Sequence, residues 1–140
     1  MRILLDTNIV VAGFLSSKGP PGRLVRAWLQ GRFELVTSQQ QLDELARVLA
    51  YEHLSSRIDP VQAQEFLENV DVLAVMATDL PTIELSPDPA DDVILATAVA
   101  GQAELVVSGD KADVLGLGEV EGIPIMTARA ALERLGMVEE

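Results

Sequence analysis

Cysteine is absent from the 140-residue chain, and His53 is its one histidine. These two absences remove disulfide frameworks, Cys/His zinc sites, thiol nucleophiles and histidine-based hydrolytic triads, which leaves carboxylates and hydroxyls as the groups available for chemistry. Aromatic residues are scarce, with one Trp, one Tyr and three Phe, so base stacking offers little to a nucleic-acid partner. Trp28 and Phe33 are expected in or near the core. No apolar run approaches the ~20 residues of a membrane span, and the opening Met1–Leu5 run is too short for a secretory signal before Asp6 interrupts it. The expectation is a cytoplasmic protein with no membrane partner. Basic residues are also few: 10 against 22 acidic ones, for a net charge of −12. Such a charge opposes nucleic-acid binding unless it is unevenly placed or neutralised by metal.

What is present is enough apolar material, 49 % of the chain, for one domain over residues 1–140 with a true core. Short apolar runs alternate with stretches of helical period. The expected strands are Arg2–Leu5, Phe33–Val36, Val72–Met76, Leu105–Val107 and Ile123–Met126. The expected helices are Arg23–Gln30, Gln39–Ala50, Pro60–Asn69, Pro89–Ala100 and Ala128–Leu135. This alternation predicts a three-layer α/β/α fold around a mainly parallel sheet of about five strands. The Gly19–Gly22 run reads as a breaker, Ala77–Pro89 as the one long irregular segment, and Gly116–Gly122 as a loop too loosely spaced for a dinucleotide fingerprint.

Sites on open parallel sheets form beyond the carboxyl ends of the strands. Asp6 directly follows the first predicted strand, and Asp110 follows the fourth after Ser108 and Gly109. Asp88 reads as an N-cap with Pro89 at the first helical position, which makes Asp91 either a helix-dipole acid or, since it shares a face with Ile94, Leu95 and Ala98, a carboxylate turned toward a cleft. Asp92 lies off that stripe. In the helix over 39–50, Asp43 has Arg47 as an i+4 partner and reads as a surface pair, whereas Glu44 lacks that explanation. Residues 7–33 contain no acid and carry Lys18, Arg23, Arg26 and Arg32, so this stretch is positive while the rest of the chain is strongly negative. It offers a surface for a nucleic-acid backbone, with a basic solvated helix face as the plainer reading.

The ordered set Asp6-Thr7-Asn8, Glu44-Leu45-x-x-Val48-Leu49, Asp91-x-x-Ile94-x-Ala96-x-Ala98 and Ser108-Gly109-Asp110-Lys111 resembles the PIN-domain ribonucleases, in particular the branch that serves as toxins of toxin–antitoxin systems. The resemblance implies an endoribonuclease dependent on Mg²⁺ or Mn²⁺, with one or two ions held by Asp6, Glu44, Asp91 and Asp110. Asp113 is a candidate fifth ligand, but it stands three residues after the fourth acid where many relatives have a spacing of two. Thr7 and Ser108 would orient the carboxylates or a bound water, and Asn8 would support the loop; turn and cap hydrogen bonding is the alternative for all three. A cognate antitoxin and a homodimer are the implied protein partners. Hard oxygen ligands suit these ions, and two of them would offset four carboxylates. The competing functions are a non-catalytic interaction module on the same fold and, further off, an aspartyl-phosphate phosphotransferase or phosphatase, which wants a second Asp where Asn8 stands.

Overall fold

A computed structural model describes residues 1–109 and 114–137, the side chain of His53 apart. The elements are β1 (Arg2–Leu5), α1 (Thr7–Leu15), α2 (Pro20–Leu29), β2 (Glu34–Ser38), α3 (Gln39–Leu49), α4 (Glu52–Ser55), α5 (Pro60–Leu73), β3 (Val75–Ala77), α6 (Pro89–Ala100), β4 (Leu105–Val107), a 3₁₀ turn (Leu115–Leu117), β5 (Glu119–Val120), β6 (Ile123–Met126) and α7 (Ala128–Arg134). The sheet runs β3-β2-β1-β4-β6-β5, parallel throughout except for β5, which pairs antiparallel with β6. Among the described residues no helix is long and apolar enough to cross a membrane.

The apolar strands are buried on both faces, and their two-residue alternation divides the core. Ile3 and Leu5 of β1, with Leu35, Leu105 and Val107, pack against Val10, Leu24, Trp28, Leu45, Phe66 and Leu132 on one face. Leu4, Val36 and Val106 pack against Ile94, Leu95 and Ala98 of α6 on the other. The sheet thus lies between helical layers, as expected for three-layer α/β/α. Trp28 and Phe14 meet Phe66 edge-on, with centroids 5.2 and 5.3 Å away, so these aromatics are spent on the core.

Local chemistry sets most boundaries. Ser38, Asp59, Asp88 and Thr127 cap α3, α5, α6 and α7 through their side chains. Gly19–Gly22 begins a helix instead of breaking one: Pro20 and Pro21 occupy the first turn of α2, where a missing N–H costs nothing. Gly22 is required there, because a Cβ would stand 2.6 Å from the Ser16 carbonyl oxygen.

Two further expectations need correction, and α1 was not among the expected helices. Residues 7–15 form α1, although the run is rich in β-branched residues; the helix forms because it is buried against the sheet and α2, which outweighs propensity. The predicted strand over 72–76 is instead the end of α5 followed by β3, since a continuous apolar run does not distinguish helix from strand. The Gly116–Gly122 segment, expected to be a loop, ends in a β-hairpin, β5–β6, whose two turn residues Glu121 and Gly122 both have positive φ, at 46° and 83°.

Candidate active site

From β1 the chain proceeds outward to β2 and β3 on one side, while β4 and β6 lie on the other side of β1. The topological switch point is therefore between β1 and β4, the place where open α/β sheets build their sites. Asp6 and Ser108 are the residues that follow these two strands. The backbone locks them together: the Asp6 N–H donates to the Val107 carbonyl at 2.9 Å and the Ser108 N–H to the Met126 carbonyl at 3.0 Å. The Ser108 hydroxyl then donates to Asp6 Oδ2 at 2.9 Å, a buried bond between residues 102 apart in sequence. Asp6 is only 4 % exposed and Ser108 fully buried.

Thr7, also buried, starts α1 and donates its hydroxyl to Glu44 Oε1 at 2.5 Å. Glu44 is half-buried and Asp43 exposed, so α3 turns Glu44 toward Asp6. Asp43 does not pair with Arg47; it accepts a hydrogen bond from Gln39 Nε2 at 2.9 Å, one turn earlier. Burial raises the Asp6 pKa above its ordinary value of 3.8 by penalising the charged form, and repulsion from Glu44 pushes the same way. The Ser108 hydroxyl and the nearby amides of Asn8 and Thr7 oppose this without cancelling it. A buried carboxyl with a second carboxylate nearby is a group that a cation would stabilise in its charged form.

Gln41 belongs to none of the sequence motifs, yet it sets the spacing of this half. Buried at 5 % exposure, its Nε2 donates to the Leu5 carbonyl at 2.7 Å and its Oε1 accepts from the Thr37 hydroxyl at 2.7 Å. It therefore straps α3 to the end of β1, one residue before Asp6 and three before Glu44. The signal in the sequence is an amide on the buried face of the helix, one turn before Leu45. Ser38 links α3 to α6: its oxygen accepts from the Gln41 N–H, and it lies 2.8 Å from Thr97 Oγ1. The Thr97 proton is committed to the Val93 carbonyl, so Ser38 is the donor in that pair.

Asp91 occupies the first turn of α6, half-buried, and accepts from the Ser86 hydroxyl at 3.2 Å. Asp92 accepts the Leu85 and Ser86 amides at 3.0 and 2.9 Å and so pins the preceding loop. Asn8 is exposed on α1. Asp110 and Asp113 lie outside the described residues. Among the described residues no group of three or more acidic side chains is close enough to hold a metal ion. Asp6 and Glu44, close enough to repel each other, are hard oxygen donors that fit part of a Mg²⁺ or Mn²⁺ shell.

The basic residues do not follow Asp6 in space as they do in sequence. α1 carries the chain away from Asp6 for nine residues, roughly 13 Å. Arg32 stands just before β2, whose first residue Glu34 pairs with Arg2 at the opposite end of β1 from Asp6. The Arg23 guanidinium donates to the Met137 carbonyl beyond the far end of α7. Lys18 and Arg26 are exposed, and Arg26 borders a groove with Phe14 and Glu65.

Comparison with curated proteins gives no match. The PIN domain family, whose members are generally nucleases that bind divalent metal ions, matches residues 2–112, a span that contains the whole β1–β4 switch point. With four-fifths of its length matched, the chain belongs to the PIN-domain family.

Proposed function

We propose that this PIN-domain protein is a Mg²⁺- or Mn²⁺-dependent endoribonuclease that hydrolyses RNA phosphodiester bonds, and that it acts as the toxin of a toxin–antitoxin pair. The observation that carries the reading is the buried Asp6 carboxyl at the switch point, held by Ser108 from the adjacent strand and faced by Glu44, in a chain of a nuclease family. Asp6 and Glu44 would hold the ion or ions together with Asp91 and Asp110, and Asp113 is the proposed additional ligand. When bound, the ion supplies positive charge that offsets the clustered carboxylates, lowers the pKa of the attacking water and stabilises the charge that develops at phosphorus. In the reaction the water oxygen bonds to phosphorus, one P–O ester bond breaks, and the departing sugar oxygen takes up a proton.

The chain's own residues keep this geometry ready. Ser108 uses its proton on one oxygen of Asp6 and Thr7 uses its own on one oxygen of Glu44, so each carboxylate has a fixed orientation before any ligand arrives. Gln41 holds the two backbones in register, and the sheet excludes water from behind Asp6. The partners that go with this reading are RNA as substrate, a cognate antitoxin and a second copy of the chain.

The test is cleavage of a labelled RNA with Mg²⁺ or Mn²⁺. Activity that vanishes with EDTA and in Asp6→Asn supports the proposal; equal cutting under either condition defeats it. A non-catalytic PIN-fold module is the second reading. Calorimetric titration with Mn²⁺ separates the two, because a module that has lost its site gives no binding heat.

A further inference from the structure

The cations that sequence places next to Asp6 lead away from it, so RNA held at the acidic edge needs a positive contact from elsewhere. α3 provides one. Gln40, Glu44 and Arg47 share a face at i, i+4 and i+7, and this face looks across a cavity of about 110 Å³ onto Ala90, Val93 and Ile94 of α6. Glu44 and Arg47 line the same cavity one helical turn apart, about 5 Å along the axis. Arg47 has an obvious local partner in Asp43 at i−4, but Asp43 is bonded to Gln39 instead. Arg47 is exposed, and among the described residues its guanidinium makes no hydrogen bond or ion pair. Five N–H donors of a permanently charged group therefore border the site with their hydrogen-bonding capacity unused. Among the described residues Glu44 is the one acid lining the cavity, and the proposed function assigns its charge to the metal.

We propose that the α3–α6 cleft is an RNA-backbone subsite, in which Arg47 binds a phosphate neighbouring the one that is cut. The inference rests on the nuclease reading and deepens it by routing the substrate across α3 and not α2. Arginine suits the task because its planar fork matches two phosphate oxygens. Arg47 is not among the groups that act on the Asp6 carboxyl, so its assigned role is to bind substrate, with no part in bond cleavage.

The experiment measures the anisotropy of a short fluorescein-labelled single-stranded RNA of mixed sequence, over a salt series, with Asp6→Asn as the parent so that no cleavage intervenes. Arg47→Gln is expected to weaken binding roughly 3- to 10-fold and to reduce the slope of log K against log salt by about 0.7, the share of one phosphate contact on a single strand. Arg47→Lys should restore the slope and only part of the affinity, since charge returns without the fork. Arg26→Gln should have the smaller effect. Unchanged affinity and slope in Arg47→Gln overturn the inference, as does a larger loss in Arg26→Gln. Wild-type protein that cuts RNA while Arg47→Gln matches its parent removes this subsite alone. Wild type that neither cuts RNA with Mn²⁺ nor binds it removes the nuclease reading, and the subsite with it. Because Arg47 is exposed, thermal unfolding at the parent's temperature verifies that the comparison is between folded proteins.

Discussion

The acidic edge has two halves built in different ways. On the β1–α3 side, Asp6, Thr7, Ser108 and Gln41 are buried, and each is tied by its side chain to a distant part of the chain: Ser108 to Asp6, Thr7 to Glu44, and Gln41 to the Leu5 carbonyl. On the α6 side, Asp91 and Asp92 are half-buried and accept hydrogen bonds from Leu85 and Ser86, five to seven residues back. The first half is held by the tertiary fold and places a carboxyl where its charge is costly. The second contains an N-terminal helix turn that local hydrogen bonds tie to the loop before it. Stability and function should therefore be opposed in the first half and nearly independent in the second.

The largest effect expected from this contrast is on catalysis. Asp6→Asn should lower the cleavage rate by roughly 10²- to 10³-fold, the scale seen when one preorganised electrostatic group is lost, as measured by single-turnover RNA cleavage with Mn²⁺. Next is Gln41→Leu, which strands the Leu5 carbonyl and the Thr37 hydroxyl in the interior. A loss of about 1–3 kcal/mol is expected from urea unfolding, accompanied by weaker Mn²⁺ binding because Asp6 and Glu44 lose their common reference. A null result on stability would erase the distinction between the halves.

The pH dependence sharpens the same point. Because the folded pKa of Asp6 is raised by burial, the folded state holds this proton more tightly than the unfolded one. The contribution is fully present below the unfolded value near 3.8 and is lost as pH rises through the folded pKa. Without metal, stability should therefore fall as pH rises from about 4 toward neutrality on account of this group. Asp6→Asn should flatten that slope and melt higher than wild type at pH 7 in EDTA, while still accepting the Ser108 hydroxyl. The smallest effect belongs to the α6 side. Ser86→Ala should cost no more than about 1 kcal/mol, since the hydroxyl it removes serves a half-buried carboxylate that water can reach.

Asp6 and Glu44 are legible in the sequence because their surroundings are local: a strand that ends in an acid, and a helix in which one of two adjacent acids has no cation at i+4. The Asp88 cap and the Pro89 start of α6 are legible for the same reason. The Asp43–Arg47 pair is an equally local inference, but Gln39 competes for the same carboxylate with a shorter, less constrained reach. Proximity of the basic stretch to Asp6 fails as a guide because nine helical residues convert sequence adjacency into a separation of about 13 Å. α1 itself is not legible because its residues favour strands when taken singly, and only burial against the sheet selects the helix.

The order of apolar runs and helical periods determined by itself that this chain would form a parallel sheet between helices, and the two acids at strand and helix positions followed from period and register. Both are properties of spacing along one dimension. The tertiary structure alone decided which strands are neighbours, and with that it brought Ser108 to Asp6 across 102 residues, turned Gln41 inward as a strap and left Arg47 facing the cleft. Such contacts depend on strand order and on which of several polar groups wins a shared partner. Those outcomes are set by the packing of the whole sheet, since an unpaired polar group in its interior would cost more than any local preference returns.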